Sequence, residues 1–348
     1  MDSSKLHWRI LKHTGRDGLD VSKVLNKNFA EPGVAMGGSS QDTNPNRELK
    51  SKGRRRVNSG YLRIIGIALF IWIIVSIDQH QLMAIVLEAD VPLLLLALFL
   101  QFLVYTAKTL RWHVMVRATN LQPTFGDSWR LYNIGVFLAT ITPAKLGELG
   151  KAAYLKKEGL PAVAGIALVF VDRLSDVLVI SLLSIAGVGI LFGPLWSLLA
   201  GTFFVSFCLV ALFGWKCLPQ ERKTVMTPHL PRKKTVFLAL LFTVISWILY
   251  FAWTLSLAES IALVAPLPAL ISALTITGIL SLLPIAPAGL GTRDAALLTL
   301  LATYGVSSSQ SVALALLMFC SIVVMGIPGG LCWIIQGKKK DGQDSTLS

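Results

Sequence analysis

Six stretches of this chain, 64–77, 91–106, 177–192, 195–213, 236–257 and 312–335, are long and almost uniformly apolar. Each approaches the roughly 20 residues that a helix needs to cross a bilayer core. Hydrocarbon offers backbone amides and carbonyls no partner except one another, so a helix is the structure such runs support. Only 15% of the residues are charged, against about a quarter in a soluble domain. The expected fold is therefore all-α and polytopic, with about six spanning helices.

A formal charge of +13 would suit nucleic acid, but its placement points to lipid. Residues 1–60 hold twelve Lys/Arg against six acids and end in Lys50-Ser51-Lys52-Gly53-Arg54-Arg55-Arg56. This stretch reads as a disordered basic tail resting on anionic cytoplasmic headgroups. The segment 78–90 carries Asp78, Glu88 and Asp90 with no Lys or Arg, and reads as the outer side. Lys108, Arg111, Arg117 and Arg130 follow the second apolar run and read as cytoplasmic, as do the basic stretches 216–234 and 338–340. The expectation is a transmembrane domain over 61–336 and a short tail over 337–348. Both termini are placed in the cytoplasm, in a bacterial-type inner membrane, with membrane lipids and not nucleic acid as partners.

Two segments fit no simple crossing. The first, 131–160, breaks at Thr142-Pro143-Ala144-Lys145-Leu146-Gly147-Glu148; the second, 267–305, breaks between Pro284 and Gly291. Pro143-Ala144-Lys145-Leu146-Gly147 matches Pro287-Ala288-Gly289-Leu290-Gly291 at four of five positions, 144 residues apart (287 against 143). Proline ends a helix by removing a donor and clashing with the preceding turn, and glycine lets the backbone reverse. Each break lies between one span before it and one after, running in opposite directions in the two halves, about 91–193 and 235–335. That order is an inverted-topology repeat with two broken re-entrant hairpins. The freed backbone groups must be buried in protein or line a polar cavity. Helices restarting after Gly147 and Gly291 aim their positive ends at mid-membrane, a setting suited to a phosphate headgroup.

Charge also stands where a bilayer disfavours it. Asp172-Arg173-Leu174-Ser175-Asp176 interrupts an apolar run. Arg173 and Asp176, three apart, share a helix face, as do Asp172 and Asp176, four apart. An Arg at a helix centre costs about 2.5–3.5 kcal/mol, so such residues pair or line a cavity. The residues 144 positions on, 316–320, are wholly apolar, so the charge of the first half reads as added for a task. Lys145, Glu148 and Lys151 flank the first break, and Arg293 and Asp294 the second. Glu148 and Lys151 have the spacing of a local pair. Alternatively Lys145, Lys151, Arg173 and Arg293 hold an anion while Glu148 and Asp294 position them or carry a proton.

Recognisable catalytic chemistry is missing from the sequence. Gly147-Glu148-Leu149-Gly150-Lys151-Ala152 has Lys145 where a phosphate loop requires its first glycine, and Ala152 where it requires Ser or Thr. Four cysteines in or beside apolar helices and five scattered histidines form no metal-binding spacing. No cofactor or metal is expected.

Taken together, Leu110-Arg111-Trp112 at a helix end, Thr142-Pro143 with Gly147-Glu148, Asp172-Arg173 with Asp176, and Pro284 to Gly291 with Asp294 resemble the lysylphosphatidylglycerol synthase transmembrane family. This is also described as the flippase-like domain family. The resemblance covers about 62–335. It implies a membrane region that binds phospholipids or polyprenyl-linked lipids and moves them between leaflets. Members with a soluble aminoacyl-transferase domain also make the lipid; the chain stops at Ser348, so synthase activity is not expected of it. Asp172 and Asp294 stand where the family usually has Glu. The leading expectation is a lipid flippase, not an enzyme, with Pro143, Lys145, Gly147, Glu148, Lys151, Asp172, Arg173, Asp176, Pro287, Gly289, Gly291, Arg293 and Asp294 at the headgroup site. The alternatives are an intramembrane lipid-modifying enzyme and an accessory subunit of an envelope glycosyltransferase complex.

Overall fold

The computed structural model describes residues 72, 75, 76, 78–119, 121–142, 147–280 and 291–344. Pro143, Lys145, Pro287 and Gly289 lie outside the described residues, as do nearly all of the expected first span (61–77) and the amino-terminal tail up to residue 60. The described residues up to Trp333 form one compact unit.

Among the described residues the protein is all α-helical, and five helices are long and apolar enough to cross a membrane. A short helix α1 (Gln79–Leu87) is capped by Asp78, whose carboxylate accepts from the His80 and Gln81 amides. Helix α2 (Val91–Arg117) starts at the Asp90 cap with Pro92 in its first turn. It therefore runs well past the point where the basic residues suggested a loop: Lys108 and Arg111 belong to the helix, not to a cytoplasmic connection.

Helix α3 (Phe125–Ile141) begins with a reciprocal capping box between Thr124 and Asp127. After the break, a 3-10 turn over 147–149 leads into α4 (Gly150–Lys157). The chain returns along α3: a Cβ on Gly147 would lie 2.4 Å from the Leu138 backbone, and one on Gly135 3.1 Å from the Lys151 side chain. Helix α5 (Ala162–Phe192) spans about 46 Å at 1.5 Å per residue, so the Asp172–Asp176 charges sit inside one continuous helix. Helices α6 (Pro194–Cys217) and α7 (Gln220–Met226) lead to the second half. That half comprises α8 (Lys233–Ser260), α9 (Leu267–Leu280), α10 (Thr292–Ala302) and α11 (Ser308–Asp344).

The two halves repeat one element order. Their helices start 142, 142, 142 and 146 residues apart (233 against 91, 267 against 125, 292 against 150, 308 against 162). The short helices even end alike. Gly159 and Gly305 both take positive φ, +96° and +78°. Leu160 N donates to Leu155 O and Gly159 N to Lys156 O; Val306 N donates to Leu301 O and Gly305 N to Ala302 O. Both are Schellman caps, in which glycine adopts the left-handed turn without a Cβ penalty.

Packing crosses between the halves. Helix α5 lies against α9, and α3 meets α11 where Gly329 abuts the Asn133 carbonyl and Phe137 packs near Trp333. The most extensive contact pairs α2 with α8. Buried residues on α2 (Ala97, Gln101, Val104, Arg111, Met115) and α8 (Ala239, Thr243, Ser246, Trp253, Leu257, Ser260) follow alternating steps of three and four, with Lys108 and Tyr250 completing the stripes. Such 3.5-residue spacing makes a coiled-coil seam. Asp90 N donates to Ser260 O at one end and Arg111 Nη1 to Thr243 Oγ1 near the other, so the seam is antiparallel. The small Ala, Ser and Thr side chains let the two backbones approach, as membrane helices require when water supplies no hydrophobic drive.

Candidate functional site

The seam delivers Arg111 to the centre of a buried charge cluster. Its guanidinium donates from Nη1 and Nη2 to the two carboxylate oxygens of Asp176, at 2.8 and 3.0 Å. Nε and Nη2 both lie 2.8 Å from Asp172 Oδ1, and Nη1 also reaches Thr243 Oγ1 at 3.1 Å. Four of the five N–H groups of the arginine fork thus make hydrogen bonds. Thr243 can accept because its own hydroxyl proton goes to the Ala239 carbonyl. Asp172 and Asp176 project together because they are one helical turn apart on α5.

The second carboxylate oxygen of Asp172 accepts from Lys151 Nζ at 3.0 Å. The ammonium also lies 3.3 Å from Glu148 Oε2 and stands over the rings of Trp112 (4.5 Å) and Tyr132 (4.9 Å). Glu148 in turn pairs with Arg173, whose Nη1 lies 3.8 Å from Asp176. Lys108 completes the cluster, 3.8 Å from Asp176 and over the Trp247 ring at 5.6 Å. Arg111 and Asp172 have no exposed side-chain surface, whereas Arg173 and Lys108 keep 26% and 21% of theirs. Four cations and three carboxylates leave one formal positive charge in excess, and the two least buried members are both cations.

Several expectations need correcting in detail. Arg173 and Asp176 share a face, but the close partner of Asp176 is Arg111, and Arg173 turns to Glu148. Lys151 pairs with Glu148, as their spacing suggested, and lies between the Trp112 and Tyr132 rings with Asp172 as its nearest carboxylate. Arg111 and Lys108 were missed because a basic residue after an apolar run resembles a loop. The signal that finds them is the three–four stripe through Ala97, Gln101, Val104, Lys108 and Arg111.

In the second half, Arg293 is the counterpart of Lys151, each the second residue of its short helix. It bonds Asp294 at 3.0 Å and the Ala315 carbonyl of α11 at 3.2 Å. Asp294 also accepts from the Gly291 amide at 3.0 Å. The start of α10, expected to face a ligand anion, is thus held by the protein's own carboxylate. Among the described residues no hydrogen bond or ion pair joins Arg293 and Asp294 to the first cluster.

A two-half helical bundle with ionised side chains sealed among its spans defines a polytopic integral membrane protein built around an intramembrane polar site. Its sequence matches the family described as the lysylphosphatidylglycerol synthase TM region over residues 63–329; the chain belongs to that family, and so to membrane proteins of lipid metabolism or transport. No curated protein gives a match to the chain.

Proposed function

We propose that this protein is a lipid flippase that holds the anionic headgroup of a phospholipid or polyprenyl-linked lipid at the Arg111–Asp176 cluster. The observation that carries this reading is the cluster's surplus positive charge, with Arg173 and Lys108 at its accessible edge. A wholly structural network in a membrane is expected to neutralise itself, because each uncompensated charge is costly there. An excess cation that keeps part of its surface exposed is satisfied by an anion from outside the protein.

Roles divide by burial. Arg173 and Lys108 contact the headgroup. Glu148 holds Arg173 in reserve and releases it when the anion arrives. Arg111, Asp172, Asp176 and Lys151 form the frame that fixes these positions. The matched element order and cross-half packing support an inverted repeat able to expose the site to either leaflet. The placement of basic residues supports cytoplasmic termini in a bacterial-type inner membrane.

Native mass spectrometry of the gently purified protein tests the reading. The wild type is expected to retain a discrete anionic or polyprenyl lipid, and Arg173→Gln and Lys108→Gln to lose it while eluting as folded protein. Bulk lipid retained equally by all three would overturn the assignment.

A further inference from the structure

Once Arg173 turns from Glu148 to a headgroup, every carboxylate of the first cluster still has a cation beside it. Glu148 keeps Lys151, 3.3 Å away. Asp172 keeps Arg111 at 2.8 Å and Lys151 at 3.0 Å. Asp176 keeps both guanidinium bonds of Arg111, at 2.8 and 3.0 Å, with Lys108 at 3.8 Å. The groups that act on Glu148 from the surrounding helices are Tyr105 and Lys108 on α2, Tyr132 on α3, Lys151 on α4 and Arg173 on α5. A buried carboxylate takes up a proton when it loses its last counterion, because the neutral acid avoids the desolvation penalty. None of these three loses its last.

The balance of charge agrees. Lys108, Arg111, Lys151 and Arg173 exceed Glu148, Asp172 and Asp176 by one positive charge among the described residues. A headgroup with a single phosphodiester charge brings the loaded site to zero. A proton bound as well would restore an excess that a bilayer disfavours. In the second half Arg293 is paired with Asp294 at 3.0 Å, so that pair is balanced whether or not a headgroup is present.

We infer that the protein moves a singly charged headgroup without a coupled proton, so that one negative charge crosses the membrane per cycle and the membrane potential drives it; the inference rests on the flippase reading above. Glu148 then serves only to hold Arg173, and Lys151 is the cation that lets it stay ionised when Arg173 leaves.

The two modes of driving differ in the distribution they reach. One charge moved across 100 mV gains about 2.3 kcal/mol, which is roughly a fifty-fold ratio between leaflets. A headgroup moved together with one proton carries no net charge, ignores the potential, and settles at about a tenfold ratio per pH unit.

The full-length protein is reconstituted in vesicles with a trace of labelled phosphatidylglycerol, and the steady distribution of the label between leaflets is read in two conditions. One is a potassium-diffusion potential of about 100 mV without a pH gradient; the other is a gradient of about one pH unit at zero potential. The wild type is expected to drive the label roughly fifty-fold toward the positive side in the first and to leave it even in the second. A label that ignores the potential and follows the pH gradient would overturn the inference and leave the flippase reading standing. A label that stays where it was placed in both, as in vesicles without protein, removes the two together. Lys151→Met takes away the cation that Glu148 keeps, so Glu148 must bind a proton before it releases Arg173, and the label should then follow the pH gradient. A folded Lys151→Met variant that still follows the potential alone would overturn the part given to Lys151. If that variant fails to fold, the two wild-type distributions still decide.

Discussion

Replacing Asp172 with asparagine withdraws a negative charge from a position where two cations depend on it. Asp172 lies 2.8 Å from Arg111 and 3.0 Å from Lys151, and no part of its side chain is exposed. Breaking a buried ion pair by removing one partner costs about 3–5 kcal/mol, because the remaining charge stays buried without compensation. Asp176 still neutralises Arg111, so the penalty falls chiefly on Lys151, whose other carboxylate, Glu148, is shared with Arg173. Lys151→Met should therefore relieve much of it, since methionine fills a similar space between Trp112 and Tyr132 and carries no charge. The assay is a double-mutant cycle on stability in detergent, following resistance to unfolding of the two single variants and the pair. Asp172→Asn alone should lose about 3–5 kcal/mol. The double variant should be more stable than the sum of the singles predicts by about 1–3 kcal/mol. Additivity within about 0.5 kcal/mol would refute the claim that this aspartate is a structural counterion for Lys151.

Arg173→Gln should behave in the opposite way. Its side chain is partly exposed and Glu148 keeps Lys151 as a partner, so stability should change by no more than about 1 kcal/mol while lipid retention is lost; thermal melting beside native mass spectrometry checks both. Gly147→Ala forces a Cβ to 2.4 Å from the Leu138 backbone and should cost about 1–3 kcal/mol through overpacking. Gly201→Ala on α6, with nothing within 4 Å, should be neutral or slightly stabilising; their melting temperatures make the comparison. Gly159→Ala and Gly305→Ala meet no neighbour within 4 Å but hold positive φ. Each should lose about 1–2 kcal/mol for backbone reasons alone. A large difference between the two would count against equivalent caps in the two halves.

The sequence by itself determined the class of the protein and the places where its helices break. Runs of about 20 apolar residues leave lipid as the only compatible solvent, and Gly291 takes its positive φ through local sterics that need no tertiary partner. The recurrence of Pro143–Gly147 at Pro287–Gly291, and of Gly159 at Gly305, could be read for the same reason: both are local signals. Glu148, Lys151, Asp172, Arg173 and Asp176 were also legible, as charges in an apolar setting. Their partners were not. Arg111 looked like the end of a span, yet it is the residue around which both aspartates are arranged. Arg111 meets Asp176 across 65 residues and Thr243 across 132, contacts that exist only once α2 has packed against α5 and α8. Which cations are buried against internal carboxylates and which stay partly exposed is likewise a property of that packing, because burial is assigned by neighbouring helices and not by a residue's place in the chain. For Lys151, the aromatic walls of Trp112 and Tyr132 made the difference.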